Sequence, residues 1–105
     1  MASFVQVTAF APNPDPGVVG QGCMLNFDFQ NIGDQPTPDD HGVEVAVTDP
    51  ALVTTNLGLL NVTMPMDSSH IHQTGMPFTP QMAGAHQVTA TADEGGVFEA
   101  TFQVV

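Results

Sequence analysis

Residues 22–30 read Gly22-Cys23-Met24-Leu25-Asn26-Phe27-Asp28-Phe29-Gln30. Cys23, Leu25, Phe27 and Phe29 alternate with Met24, Asn26, Asp28 and Gln30, so an extended chain here has one apolar and one polar face. A period of two belongs to a strand whose sheet rests on a core on one side and meets water on the other.

The same signal recurs on both sides of this segment. Ser3 to Ala11 reads as a strand with Val5, Val7 and Ala9 on one face, and Pro12-Asn13-Pro14-Asp15-Pro16-Gly17 then breaks any regular element. A polar loop runs from Asn31 to Gly42. Val43, Val45 and Val47 alternate with Glu44, Ala46 and Thr48 until Asp49-Pro50 ends that strand. Leu57, Leu59, Leu60 and Val62 supply one or two short strands within 52–64. Residues 69–74 are weakly strand-like around Ile71, and Pro77 and Pro80 confine that region to an edge or a loop. His86, Val88, Ala90 and Ala92 face one way and Gln87, Thr89 and Thr91 the other. After the turn Asp93-Glu94-Gly95-Gly96, Phe98, Ala100, Phe102 and Val104 face inward, which makes the last two runs a hairpin. About seven short strands, frequent turn signals and almost no helical periodicity predict an all-β sandwich or barrel, filling residues 1–105 as a single domain.

Composition narrows the function. The 105 residues contain 11 Asp and Glu and no Lys or Arg, a formal net charge of −11. Such a chain has nothing with which to neutralise a phosphate backbone or an anionic membrane surface, so nucleic-acid binding and attraction to such a surface are not expected; no apolar run is long enough to span a bilayer, so membrane insertion is not expected either. No Lys or Arg ion pair can form; burial and backbone pairing must hold the fold. Hydrophobic residues are 42% of the chain, and with no Trp or Tyr the aromatic part of the core falls to seven Phe. A single cysteine, Cys23, forbids an internal disulfide. Met1-Ala2-Ser3-Phe4-Val5 has neither a basic nor a long apolar leader segment, so no signal peptide is visible; release of a virus particle by lysis is one route out of the cell that needs none.

Short motifs suggest a family. Gly20-x-x-Cys23-x-Leu25-x-Phe27 resembles the strand B pattern of immunoglobulin-like domains, and Gly84-Ala85-His86-Gln87-Val88 resembles their strand F pattern, Gly-x-Tyr-x-Cys. The order Gly20, Asn31-Ile32-Gly33, 80–84 and Val88-Thr89-Ala90 resembles the bacterial and archaeal adhesion-type domains known as CARDB. The resemblance implies an immunoglobulin-like, two-sheet antiparallel sandwich. Phe27 and Val88 would take the two cysteine positions and His86 the tyrosine-corner position, as structural residues. The strand C tryptophan is missing, with Val45 about there, which argues against an antibody-type domain. It further implies a non-enzymatic structural or binding module, extracellular or on a virion surface: a capsid decoration or tail protein, or an adhesion domain. Such a module works through protein partners in an assembly, homo-oligomers included.

Three constellations bear on chemistry. In an immunoglobulin-like sandwich the B–C, D–E and F–G loops gather at one end. That would bring Asp34, Asp39, Asp40, Asp67, Asp93 and Glu94 into one binding apex, a docking surface for a basic partner or a Ca²⁺ site of hard oxygen ligands. His70 and His72, with Met64, Met66 and Met76, are imidazoles and thioethers of the kind that hold copper, which would make the chain a periplasmic copper carrier. The competing reading makes these Met gap-fillers in the core and the acids solvated loop residues, with no cofactor. Cys23, on the apolar face, lacks a neighbouring base. With no catalytic motif and no Lys or Arg electrophile, an enzyme is not expected.

Overall fold

The computed structural model describes residues 2–67 and 69–105. Seven strands follow one another: β1 (Val5–Asn13), β2 (Cys23–Asn31), β3 (Gly42–Thr48), β4 (Thr54–Asn61), β5 (His72–Phe78), β6 (Gly84–Ala92) and β7 (Val97–Val104). They form two antiparallel sheets, β1-β2-β5 and β4-β3-β6-β7, stacked as an immunoglobulin-like sandwich without a disulfide. No helix long and apolar enough to cross a membrane occurs among the described residues.

The alternation in 22–30 does what period two requires. Cys23, Leu25, Phe27 and Phe29 are buried, and across the ladder their partners on β5 are Phe78, Met76, Thr74 and His72. The opposing sheet supplies Val43, Val45, Val47, Val88, Ala90, Phe102 and Val104 to the same core. Phe27 and Val88, from opposite sheets, are 1% and 0% exposed. Phe10 and Phe29 lie 5.2 and 5.8 Å from the Phe27 ring, and Phe98 meets it edge-on at 6.4 Å. Such tilted, stacked and edge-on rings fill the middle of the sandwich in favourable geometry.

Two bulges shift the pattern away from the simple alternation. Between Val7 and Ala9 the β1–β2 register slips by one residue, so Ala9 turns outward and Phe10, not Ala9, enters the core. Between Val45 and Ala46 the β3–β4 ladder slips past Leu57, and Gly58 adopts a φ of 121°. The 52–64 region is therefore one bulged strand, and β4 pairs with β3 rather than with β5. β5 is an edge strand that accommodates Pro77, as the proline required.

Because successive strands run antiparallel, the connections alternate between two ends of a molecule measuring 42 × 22 × 18 Å. The loops 32–41, 62–71 and 93–96 and the N-terminal residues share the apical pole; the loops 14–22, 49–53 and 79–83 share the other. One side of the sandwich is closed at both poles: the Val5 amide donates to Glu94 and its carbonyl accepts from Gly96, while Gly17 exchanges backbone bonds with Gln103 and Val105. A Cβ on Gly95 would fall 2.0 Å from the Val5 carbonyl oxygen, so only glycine permits the apical closure.

Candidate functional site

The apical pole is held by side chains that each tie separate segments together. Asn31 ends β2 with no exposed surface. Its Oδ1 accepts from the amides of Phe4 and Gly33, both at 3.0 Å, and its Nδ2 donates to the carbonyls of Gln35 and Pro65 at 2.9 and 3.3 Å. One amide thus joins the N-terminal segment, the 32–41 loop and the 62–71 loop. Gly33 follows because a Cβ there would lie 2.3 Å from the Ala2 carbonyl oxygen.

His41, 2% exposed, joins all three loops. The Glu94 amide donates to Nε2 at 3.1 Å, so Nε2 must be the acceptor; Nδ1 then carries the hydrogen given to the Val62 carbonyl at 2.9 Å. Asp93 Oδ2 accepts from the Gly42 amide, and the Asp93 amide returns a bond to the Gly42 carbonyl. Ser3 Oγ donates to Glu94 Oε1 at 2.6 Å. Thr37 bonds Met64 in both directions. Replacing His41 by Ala strands a part-buried amide and a buried carbonyl, at up to about 1–3 kcal/mol each. His41→Ala is expected to lower stability by about 2–3 kcal/mol, read from the urea midpoint at an unchanged slope.

All six expected apex carboxylates lie in these three loops. Asp67 belongs to the β4–β5 connection, since β4 sits beside β3 and no separate D strand precedes β5 among the described residues. The six are not equivalent. Asp93 and Glu94 are tied into the framework. Asp67 accepts from the Ser69 hydroxyl and amide, which hold its carboxyl below the usual carboxylate range. Asp34, Asp39 and Asp40 are exposed, and their carboxylates make no hydrogen bond among the described residues. At the same pole, Phe4, Ile32, Met66 and Ile71 are also exposed; the Ile32 amide bonds the Phe4 carbonyl, and Asn31 bonds that of Pro65. The pole is therefore mixed, with apolar side chains among unpaired carboxylates. The acids were legible in the sequence, but this apolar component, and Asn31 and His41 beneath it, carry no periodic signal. Only the Asn31-Ile32-Gly33 motif pointed toward one of them.

No three His, Cys, Asp or Glu side chains among the described residues come together as a metal would need. The soft set disperses as well: Met64 and Met76 are core residues, Met66 is exposed, and His70 lies in the loop before β5. His72, the first residue of β5, packs 6.4 Å from the Phe29 ring. This burial, with His70 nearby, holds its imidazole below the ordinary value of 6.5. Folded and unfolded chains are both neutral at His72 above that pH. Below it the unfolded chain takes up a proton that the folded one resists, so stability falls as pH falls through and below 6.5. His72→Gln is expected to shrink the drop in melting temperature between about pH 7.5 and about pH 5.5.

His86 is 1% exposed; Nδ1 meets the Gly84 carbonyl at 3.2 Å, within its own strand, and the ring stacks 5.4 Å from Phe102. Cys23 is buried, which pushes its thiol up and away from thiolate chemistry.

No protein-family model matches the chain. No curated protein matches it. Among solved structures, the CARDB domain of the PF1109 protein of Pyrococcus furiosus matches in solution with a TM-score of 0.70 at 19% identity, over 100% of this chain and 98% of that one. Its crystal structure, in complex with di-metal ions, matches with 0.68 at 17%, over 99% and 86%. A β-glucosidase of Erythrobacter marinus matches with 0.72 at 13% identity, but this chain spans 16% of it. The chain likewise spans 31% of a Pseudomonas fluorescens alkylpurine DNA glycosylase bound to DNA (0.69, 14%). At these identities the likeness is one of fold, and the fold is that of a CARDB-like β-sandwich.

Proposed function

We propose that this chain is a non-enzymatic binding module of a surface assembly, a virion decoration or tail component or an adhesion-type domain, and that it docks a protein partner through its apical pole. The observation that carries this is the mixture there: Asp34, Asp39 and Asp40 unpaired beside exposed Phe4, Ile32, Met66 and Ile71, on loops braced by Asn31 and His41. Protein interfaces combine an apolar centre with a polar rim, and opposite charge across the rim speeds and orients the encounter. The partner surface is accordingly basic around an apolar patch. The same charge argues against a nucleic-acid partner.

One neighbour invites another reading, which the residues here do not favour. The Pyrococcus furiosus domain was solved with metal ions, whereas this apex gathers no three metal-binding side chains among the described residues. The module is expected to work without resident Ca²⁺ or copper, and its melting temperature should not move with about 1 mM Ca²⁺ or a chelator. Titrating the isotopically labelled protein with a short oligolysine peptide tests the docking surface. Amide shifts confined to the three apical loops are expected; shifts spread over both sheet faces would refute the reading.

A further inference from the structure

On the side away from the β1–β7 closure, the edge strands β4 and β5 do not pair, and a cleft of about 280 Å³ enters between the sheets there. Its lining is layered. Val47 and His86 are buried and form the floor, and half-buried Leu57, Phe78 and Met82 form the walls. Half-buried Asp49 and exposed Thr55, Thr79 and Gln81 make a polar rim. Ligand pockets start near about 300 Å³ and are mostly apolar with a few fixed polar groups, so this one matches a single small ring rather than a large ligand.

The floor carries one polar side chain. The Gly84 carbonyl can only accept, so His86 Nδ1, 3.2 Å from it, is the N–H of the neutral ring, and Nε2 is left as a bare acceptor. His86 is 1% exposed, yet Nε2 has no hydrogen-bond partner among the described residues. No fully enclosed side-chain nitrogen or oxygen among those residues goes unpaired, so Nε2 keeps a small accessible surface, and the cleft is the space that His86 borders. The ring cannot turn away to find a partner: it stacks 5.4 Å from Phe102 and meets Phe78 edge-on at 5.9 Å.

We infer that this cleft binds a small uncharged phenol, its ring between Leu57, Phe78 and Met82 and its hydroxyl donating to His86 Nε2. A lone-pair nitrogen at the floor asks for a donor, which a plain hydrocarbon lacks. The walls ask for a ring, since Phe78 and the Met82 thioether both pack favourably against aromatic edges and faces. A water on Nε2 would meet mostly apolar side chains, and a guest that keeps its hydrogen bond while covering those side chains displaces it with a gain. Asp49 on the rim and the net charge of −11 oppose an anion, which rules out an aromatic acid. The inference does not rest on the apical reading and uses none of its residues.

Titrating the isotopically labelled protein with p-cresol at about pH 8, where ordinary imidazoles are neutral, tests it. Saturable amide shifts centred on Val47, Leu57, Phe78, Met82 and His86 are expected, with a Kd below about 1 mM. The methyl ether of p-cresol keeps the ring and the oxygen but has no donor; it should bind at least about threefold more weakly. The His86 Nε2 resonance should move with p-cresol and stay in place with the ether. His86→Phe keeps a ring at the floor without the acceptor, and should bind the two compounds equally to within about twofold. The comparison of the two ligands on the parent needs no variant, so it decides the matter even if His86→Phe does not fold. No saturation by about 10 mM p-cresol, shifts centred elsewhere, or equal affinity of the parent for p-cresol and its ether would overturn the inference.

Discussion

Phe27→Ala is expected to cost about 4 kcal/mol of folding stability, near the upper end for a single core truncation. The ring is 1% exposed and has Phe10, Phe29 and Phe98 around it, drawn from β1, β2 and β7. Removing it deletes apolar burial and leaves a hole bordered by both sheets, which their backbone ladders keep from collapsing. The chain has no disulfide and no Lys or Arg ion pair to hold the sheets together in its place. Urea unfolding followed by far-ultraviolet circular dichroism reads the loss. A cost below about 1 kcal/mol would mean that this ring is not at the centre of the sandwich.

Asn31→Ala is expected to cost about 3–5 kcal/mol for a different reason. It leaves the amides of Phe4 and Gly33 and the carbonyls of Gln35 and Pro65 without their partner at a site closed to water. An unsatisfied buried group costs about 1–3 kcal/mol, and local relaxation recovers part of the sum. Asn31→Asp sharpens the test. It keeps both acceptor bonds but loses both donors, and it places a charge where the chain has no Lys or Arg to meet it, so it should not rescue stability. Hydrogen exchange in the loops 32–41 and 62–71 should quicken in both variants. Protection unchanged in either loop would mean that the amide does not brace them.

The parts of this fold that could be read from sequence are those where burial alternates without interruption. Cys23 to Gln30, Val43 to Thr48 and the Gly84–Val104 hairpin each keep period two from end to end. Strand β1 was misread at Ala9 because a bulge at Thr8 reverses the faces, and nothing in a string of Val, Thr, Ala and Phe marks where a ladder slips. The 52–64 region was ambiguous for the same reason: Leu57, the bulged residue itself, and Leu60 both turn inward while Leu59 stays 66% exposed.

At the apex, the carboxylates were visible because antiparallel strands send every second loop to the same pole. The residues that hold those loops were not visible. Asn31 and His41 are buried polar groups whose partners are backbone atoms of loops distant in sequence, and composition says nothing of such pairings. The methionines illustrate the converse. Grouped with histidines they suggested a soft metal site, yet Met64 and Met76 were drawn into the core by the same apolar character that makes a thioether a soft ligand.

The most direct test of apical docking removes equal charge from two places. Asp34, Asp39 and Asp40 are changed to Asn in one variant; in the other, Asp28 is changed to Asn and Glu44 and Glu99 to Gln. Both then bind a cationic oligolysine probe with the same net charge. Docking at the apex predicts that calorimetric affinity falls about tenfold or more in the first and less than about twofold in the second. Equal losses in the two variants would show that only the overall charge matters and would contradict a docking surface at that pole.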